Sequence, residues 1–253
     1  MSQTNLEVRM GAVTEVVINR PQAANSLNRA TWREVVETFR RLDEDDDVRA
    51  IVLRGQGEKA FAAGSDIKEM AAMAPHEGAR FDELCHRAHM AVLSTGKPVV
   101  AAINGVALGG GCTLAAACDF RIASTTARLG LPEVNLGIMP GAGGLEIVVR
   151  LIGLSQAKRM VFTGELLSAD EAFSIGLVDR VVPPERLLEE ARILAASLAE
   201  KPPFSLRMAK AALGVAAGLV KDTAFAYDTL GFAICNSTRE KQEAMERFVA
   251  KGK

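Results

Sequence analysis

The chain has 253 residues, of which 49% are apolar, 5% aromatic and 24% charged, with a formal net charge of -1. That length can bury a sizeable core as one large domain or one domain with an appendage. The near-neutral charge gives no electrostatic case for nucleic acid or an anionic membrane.

Cys85, Cys112, Cys118 and Cys235 lie far apart, without Cys-x-x-Cys spacing or a nearby histidine pair. Reduced thiols are therefore expected. The polar start, Met1 to Asn5, reads as neither signal peptide nor transit segment, and a cytoplasmic location is the expectation.

Leu6 to Met10 alternates, Val13 to Asn19 is β-branched, and Gly11 turns between them, so the chain opens on a predicted hairpin ended by Arg20-Pro21. Trp32, Val35, Val36, Phe39 and Leu42 recur at helical spacing behind Asn28, a predicted N-cap. The acidic run Asp43 to Asp47 opposes that helix's dipole and reads as a solvated turn without chemistry. Ala50 to Leu53 is a predicted buried strand. In Ala60 to Met70, Asp66-x-x-Glu69 has the form of a capping box, which gives Asp66 a structural role. Met70 to Leu93 is weakly patterned and in part helical. It carries His76, His86 and His89. The last two sit one turn apart but lack a third ligand, so they read as helix-face residues and no metal site is expected.

Between Lys97 and Asp119 no residue is charged. Such a span could suggest a membrane helix, but Asn104-Gly105 and Gly109-Gly110-Gly111 break it. Pro98 to Ile103 reads as a strand of a parallel sheet covered on both faces, Asn104 to Leu108 as a turn, and Cys112 to Cys118 as a short helix. The first amides of such a helix lack intrahelical partners and make the turn a candidate anion hole. A tight turn without ligand is the commoner role of a lone glycine-rich loop. Phe120 to Ala123 is the next predicted strand, so the chain is α/β with a central sheet.

The segment Gly130 to Gly144 places one carboxylate, Glu133, among apolar residues and turns. A carboxylate so surrounded has a raised pKa and can exchange protons near neutrality; a first-turn acidic residue is the plainer alternative. Beyond Gly144 the pattern is helical apart from a predicted strand at Leu177 to Val182. Leu187, Ala191, Leu194 and Leu198 trace one helix face, stopped by Pro202-Pro203. Leu206 to Leu213 and Thr223 to Cys235 are apolar on more than one face, which suits burial against the home core or a partner subunit. A boundary near residue 200 divides an α/β core, 1–200, from a helical region, 201–253.

Three motifs carry a family resemblance: Asn104 to Asp119, Leu131-Pro132-Glu133 with Gly137 to Gly144, and Ala60 to Met70. In order and spacing they resemble the crotonase family of enoyl-CoA hydratases and isomerases, and the likeness runs from Asn19-Arg20-Pro21 to the C-terminal helices.

The resemblance implies a spiral of repeated ββα units with a C-terminal helical region, trimers often paired into hexamers, and an acyl-CoA substrate without further cofactor. It implies that the amides of Ala63 and Gly110 face a thioester oxygen, with Ala62, Gly64, Ser65, Asp66, Ile67, Gly109, Pro132 and Gly141 around the substrate. It places the adenine against Ala24 and Ser26, and offers Arg20, Lys68 and the partner subunit's Lys251 as phosphate contacts.

Family hydratases use two glutamates. Here Glu133 matches the second, while the first position is Thr113, which has no useful pKa. Isomerases of the family work with the single glutamate matched by Glu133. Double-bond isomerisation is thus the first expectation and hydration the second, with Glu146 or Asp66 as substitute carboxylates. A non-catalytic CoA-ligand or RNA-binding homologue is the third.

Overall fold

The computed structural model describes residues 4–217, 233 and 236–251. The hairpin forms: β1 (Leu6–Arg9) and β2 (Val13–Ile18) pair antiparallel. Helix α1 (Arg29–Glu44) follows, its start closed by Asn28, whose side chain accepts from the Thr31 amide at 2.9 Å.

From β3 (Ala50–Gly55) onward the chain winds as a spiral, each turn giving one strand to each of two sheets. The first turn is β3, β4 (Ala60–Ala62), then α2 (Ile67–Ala72) and α3 (Pro75–Ser94). The second is β5 (Val99–Ile103), β6 (Val106–Leu108) and α4 (Gly110–Ala116). The third is β7 (Phe120–Ser124), β8 (Arg128–Gly130), a 3-10 turn at Pro132–Leu136 and α5 (Gly144–Thr163). Then come β9 (Leu167–Ser168), α6 (Ala169–Ser174), β10 (Arg180–Val182), α7 (Leu187–Ala199) and α8 (Pro203–Ala216), with α9 at Arg239–Lys251.

The larger sheet has the order β1-β2-β3-β5-β7-β10 and the smaller β4-β6-β8-β9. Parallel pairing within each turn's counterpart strands, β3 with β5 with β7 and β4 with β6 with β8, is the repeated ββα spiral expected above.

Why the strands of the large sheet read as continuous apolar runs is plain from their two faces. Ile51, Leu53, Val99, Ala101 and Ile103 enter the main core with α1 and α3. Ala50, Val52, Val100 and Ala102 turn the other way onto Leu187, Ala191 and Ala195 of α7. Period two with both faces covered makes these central stretches of β3 and β5 apolar throughout.

Several local expectations are corrected. Val106–Leu108 is a strand and not part of a turn, and α4 starts at Gly110, two residues before Cys112. The strand predicted at Leu177 is limited to Arg180–Val182. The capping box is only half made: Asp66 accepts from the Lys68 amide, but Glu69 reaches instead to the Arg29 amide at 2.8 Å. Asp43 is not merely solvated, since its carboxylate accepts from Thr95 Oγ1 and the Gly96 amide and ties α1 to the end of α3.

The C-terminal helices meet the rest of the chain differently: α9 enters the main core, whereas the described side chains of α8 are exposed or half-buried. Lys210 of α8 pairs with Asp119 at 2.7 Å, and Met245 of α9 is fully buried in the main core. The helix expected at Thr223 to Cys235 falls outside the described residues, with Cys235. Cys85, Cys112 and Cys118 are buried and unbridged. Among the described residues no helix is long and apolar enough to cross a membrane.

Candidate active site

The two glycine turns and the 3-10 turn meet at one cavity of about 670 Å³. Ala63, Gly64, Ser65 and Ile67 come from the end of β4 and the start of α2. Gly109, Gly110 and Thr113 come from α4, and Pro132 and Glu133 from the 3-10 turn, with Gly141 beyond it. The back wall is Trp32 of α1 with Phe81, Asp82, Cys85 and His89 of α3, and Arg247 and Phe248 of α9 reach the rim.

Glycine is required where the turns touch. Gly109 has φ 50° and ψ -126°, a conformation that excludes side chains, and a Cβ there would lie 3.0 Å from Glu133 Oε1. The Glu133 carboxylate thus rests on the Gly109 backbone. Gly64 has φ 98°, and a Cβ there would meet Leu108 O at 2.9 Å, so the turn after β4 lies against the turn that starts α4.

The backbone amides of these turns are not equivalent. Leu27 and Ser65 form a parallel bridge in which Leu27 N donates to Gly64 O at 2.8 Å and Asp66 N to Leu27 O at 3.1 Å. In that ladder the Ser65 amide faces away from Leu27. The Ser65 and Gly110 amides have no protein acceptor among the described residues. Ala63 N, by contrast, donates to Ala24 O at 3.1 Å. This corrects the expected pairing of Ala63 with Gly110: the Ala63 amide is taken up by Ala24, and the open one on this turn belongs to Ser65, two residues on.

Glu133 Oε2 is sealed from solvent without a hydrogen-bond partner, and burial pushes the carboxyl pKa up to about 7. Thr113 is buried, and its hydroxyl donates to Gly109 O at 3.3 Å, the i-4 bond of a helix residue.

Neither proposed substitute carboxylate reaches the cavity. Glu146 pairs with Arg150 along α5, and Asp66 is held by Arg20 at 3.1 Å and the Lys68 amide at 3.2 Å. Ala24, Ser26 and Ala62 do not line this cavity either, and Ala24 is exposed. Arg20 binds Ser26 O as well as Asp66, so its guanidinium braces the turn around Ala24 and Ser26. Lys68 is exposed; the side chain of Lys251 lies outside the described residues.

The structure brings in residues to which the sequence gave no part in the cavity. Asp82, 2% exposed, is a second carboxylate of the cavity wall. His89 is buried, not on a solvated helix face. Its Nδ1 lies 3.1 Å from Ala142 O and its Nε2 3.4 Å from Gly110 O, and His86 Nδ1 approaches the same Ala142 carbonyl at 3.3 Å. Desolvation lowers the His89 pKa to about 4, so the ring is neutral at pH 7. The available clue was the spacing of Asp82, Cys85 and His89, which puts them on one face of α3. Among the described residues no three His, Cys, Asp or Glu side chains form a metal cluster.

The arrangement can bind a carbonyl oxygen between two open amides and hold beside it one carboxylate poised to exchange a proton near neutrality. A family model described as enoyl-CoA hydratase/isomerase matches residues 9–253. A protein of Clostridium acetobutylicum called short-chain-enoyl-CoA hydratase is 42% identical over 96% of this chain and 93% of its own length. One of Syntrophomonas wolfei called crotonyl-CoA hydratase is 40% identical over 93% and 91%. The crystal structure of an enoyl-CoA hydratase from Bacillus anthracis superposes with TM-score 0.81 at 37% identity, covering 98% of this chain and 96% of that one.

Proposed function

The chain belongs to the enoyl-CoA hydratase/isomerase family, and we propose that it moves a proton on an enoyl-CoA with Glu133 as its single family glutamate, favouring double-bond isomerisation. One observation carries this: Glu133 is the carboxylate set against the glycine turn, while position 113 offers only a hydroxyl bonded to Gly109 O and the cavity's other carboxylate, Asp82, comes from α3. The amides of Ser65 and Gly110 receive the thioester oxygen. Glu133 removes a proton from the α carbon of a 3-enoyl thioester, and the electron pair moves onto that oxygen as a dienolate. The same carboxyl then returns the proton at the γ carbon, which leaves the double bond between the α and β carbons. Two fixed amides contribute about 3 kcal/mol or more each to the developing charge.

Coenzyme A enters as part of the substrate, with the Ala24 to Ser26 turn as its adenine shelf, and the proposal includes no further cofactor. Association into trimers or paired trimers belongs to the same proposal: Phe162 and Phe204 are each 73% exposed and Leu213 69%, large apolar side chains for a monomer to leave in water.

Hydration of a 2-enoyl-CoA is the second reading, favoured by the names of the relatives from C. acetobutylicum and S. wolfei. Parallel assays separate the two. A 3-enoyl-CoA should gain conjugated-thioester absorbance with the enzyme, and crotonyl-CoA should lose it slowly or not at all. Loss with crotonyl-CoA alone would replace isomerisation by hydration, and inertness toward both would leave a CoA-ligand-binding homologue. Because Thr113 lines the cavity, Thr113→Glu supplies a second carboxylate and should raise crotonyl-CoA hydration at least about tenfold.

A further inference from the structure

The peptide that joins Gly109 to Gly110 turns one end to the cavity and the other to α4. Its N–H, on Gly110, has no protein acceptor among the described residues. Its carbonyl, on Gly109, takes two donors, Thr113 N at 2.9 Å and Thr113 Oγ1 at 3.3 Å. Glu133 packs on Gly109 and the Trp32 ring on Gly110, each where a Cβ would come within 3.0 Å of it, so the unit is held from both sides.

We propose that Thr113 is a positioning residue for the thioester oxygen: its hydroxyl, bonded to the carbonyl end of this peptide, aims and polarises the N–H at the other end. This role rests on the two-amide reading above and applies to isomerisation and hydration alike.

A peptide that accepts at its oxygen is a stronger donor at its nitrogen, because density drawn toward the carbonyl leaves the N–H more positive. Bonds chained in this way strengthen one another by about 10 to 30% each. At 3.3 Å the hydroxyl bond is the weaker of the two on Gly109 O, which sets a modest effect. The threonine is kept in place by α5. It is 2% exposed, and a Cβ on Gly144 would lie 2.7 Å from its Oγ1 and 3.1 Å from its Cγ2, so the start of α5 fits against it only as glycine. Ser94 and Thr163 make the same i-4 bond in α3 and α5. There, however, the N–H of the accepting peptide is bonded within the helix. At Thr113 it is the open one, at a helix start.

Two measurements on the full-length protein test this. Isotope-edited infrared spectroscopy of bound [1-13C]butyryl-CoA reads polarisation of the thioester carbonyl without turnover. Binding to the parent should lower the carbonyl stretching frequency. In Thr113→Val, where a methyl replaces the hydroxyl at nearly the same volume and Gly109 O keeps its amide donor, that downshift should shrink by about 10 to 30%. In steady state, with whichever enoyl-CoA the parent turns over, kcat should fall about threefold to tenfold with KM within about twofold, against about 10²-fold or more for loss of a whole donor. Thr113→Ser, which keeps the hydroxyl, should recover both readouts. Should Thr113→Val fold poorly, Thr113→Ala removes the hydroxyl without a methyl against Gly144 and should show the same smaller downshift. Equal downshifts in the parent and the hydroxyl-free variants, an unchanged kcat, or a loss that Thr113→Ser does not recover, overturns the role of Thr113 and leaves the two-amide reading intact. No downshift in the parent overturns that reading and this role with it.

Discussion

Behind the cavity, the side chain of Asn25, 1% exposed, accepts from Arg20 N at 3.0 Å and donates to Gln56 O and Ala60 O at 3.0 and 2.7 Å, and Asp66 is held by Arg20 and an amide. On the wall in front of them, Glu133 Oε2 and Trp32 Nε1 have no partner, and the amides of Ser65 and Gly110 find no acceptor among the described residues. Asn25 and Asp66 thus have their side-chain polar atoms satisfied, as buried groups must be for stability. The wall leaves its own unsatisfied, which costs stability that a bound carbonyl or acyl chain can restore.

That contrast can be broken most severely at Glu133. Glu133→Gln keeps the shape of the side chain and removes its proton exchange, and turnover of the 3-enoyl-CoA should fall by about 10³-fold; steady-state rates that stay within a few fold would remove Glu133 from the chemistry.

The same variant should be more stable than the parent, and more so at higher pH. The native carboxyl titrates near 7 and the unfolded one near 4.5, so the unfolded state loses its proton first. The Glu133 penalty therefore grows as pH rises through that window. The stability gap between variant and parent should widen by on the order of 2 kcal/mol from pH 5 to pH 8. Urea unfolding at the two values measures it, and a gap independent of pH would show that the carboxyl is not desolvated.

A smaller effect follows from crowding the wall without changing its chemistry. Gly109→Ala forces a side chain into φ 50° and sets a methyl against Glu133 Oε1. We expect about 100-fold lower kcat/KM with about 1 to 3 kcal/mol lost in stability; normal kinetics would mean that the carboxylate does not depend on this contact. The smallest effect belongs to Ser65→Ala. If the backbone amide is the functional group, kcat/KM should change only about twofold, roughly 0.5 kcal/mol, whereas a hundredfold loss would move the role to the hydroxyl.

What could be recognised before folding was whatever is written locally. The Asn28 cap and the period of α1 stand in a handful of adjacent residues, and Glu133 is marked by the apolar residues beside it. The short strands β4 and β6 were not legible, because three residues carry no period and the two pair with each other across more than forty positions of chain. The identity of the open amide was lost for a related reason. Ala63 and Ser65 share one turn and differ only in which of them Ala24 and Leu27 engage, and nothing in Ala62 to Asp66 encodes that.

The sequence by itself determined the α/β class, the family and the single glutamate in its motif, since each depends on residue type at fixed local spacing. Only the tertiary structure decided that Ser65 rather than Ala63 keeps a free amide, that Glu146 and Asp66 are engaged elsewhere, and that Trp32, Asp82 and His89 join the cavity. The physical reason is that an amide or carboxylate is made available by the absence of a partner, and partners are assigned when distant segments pack.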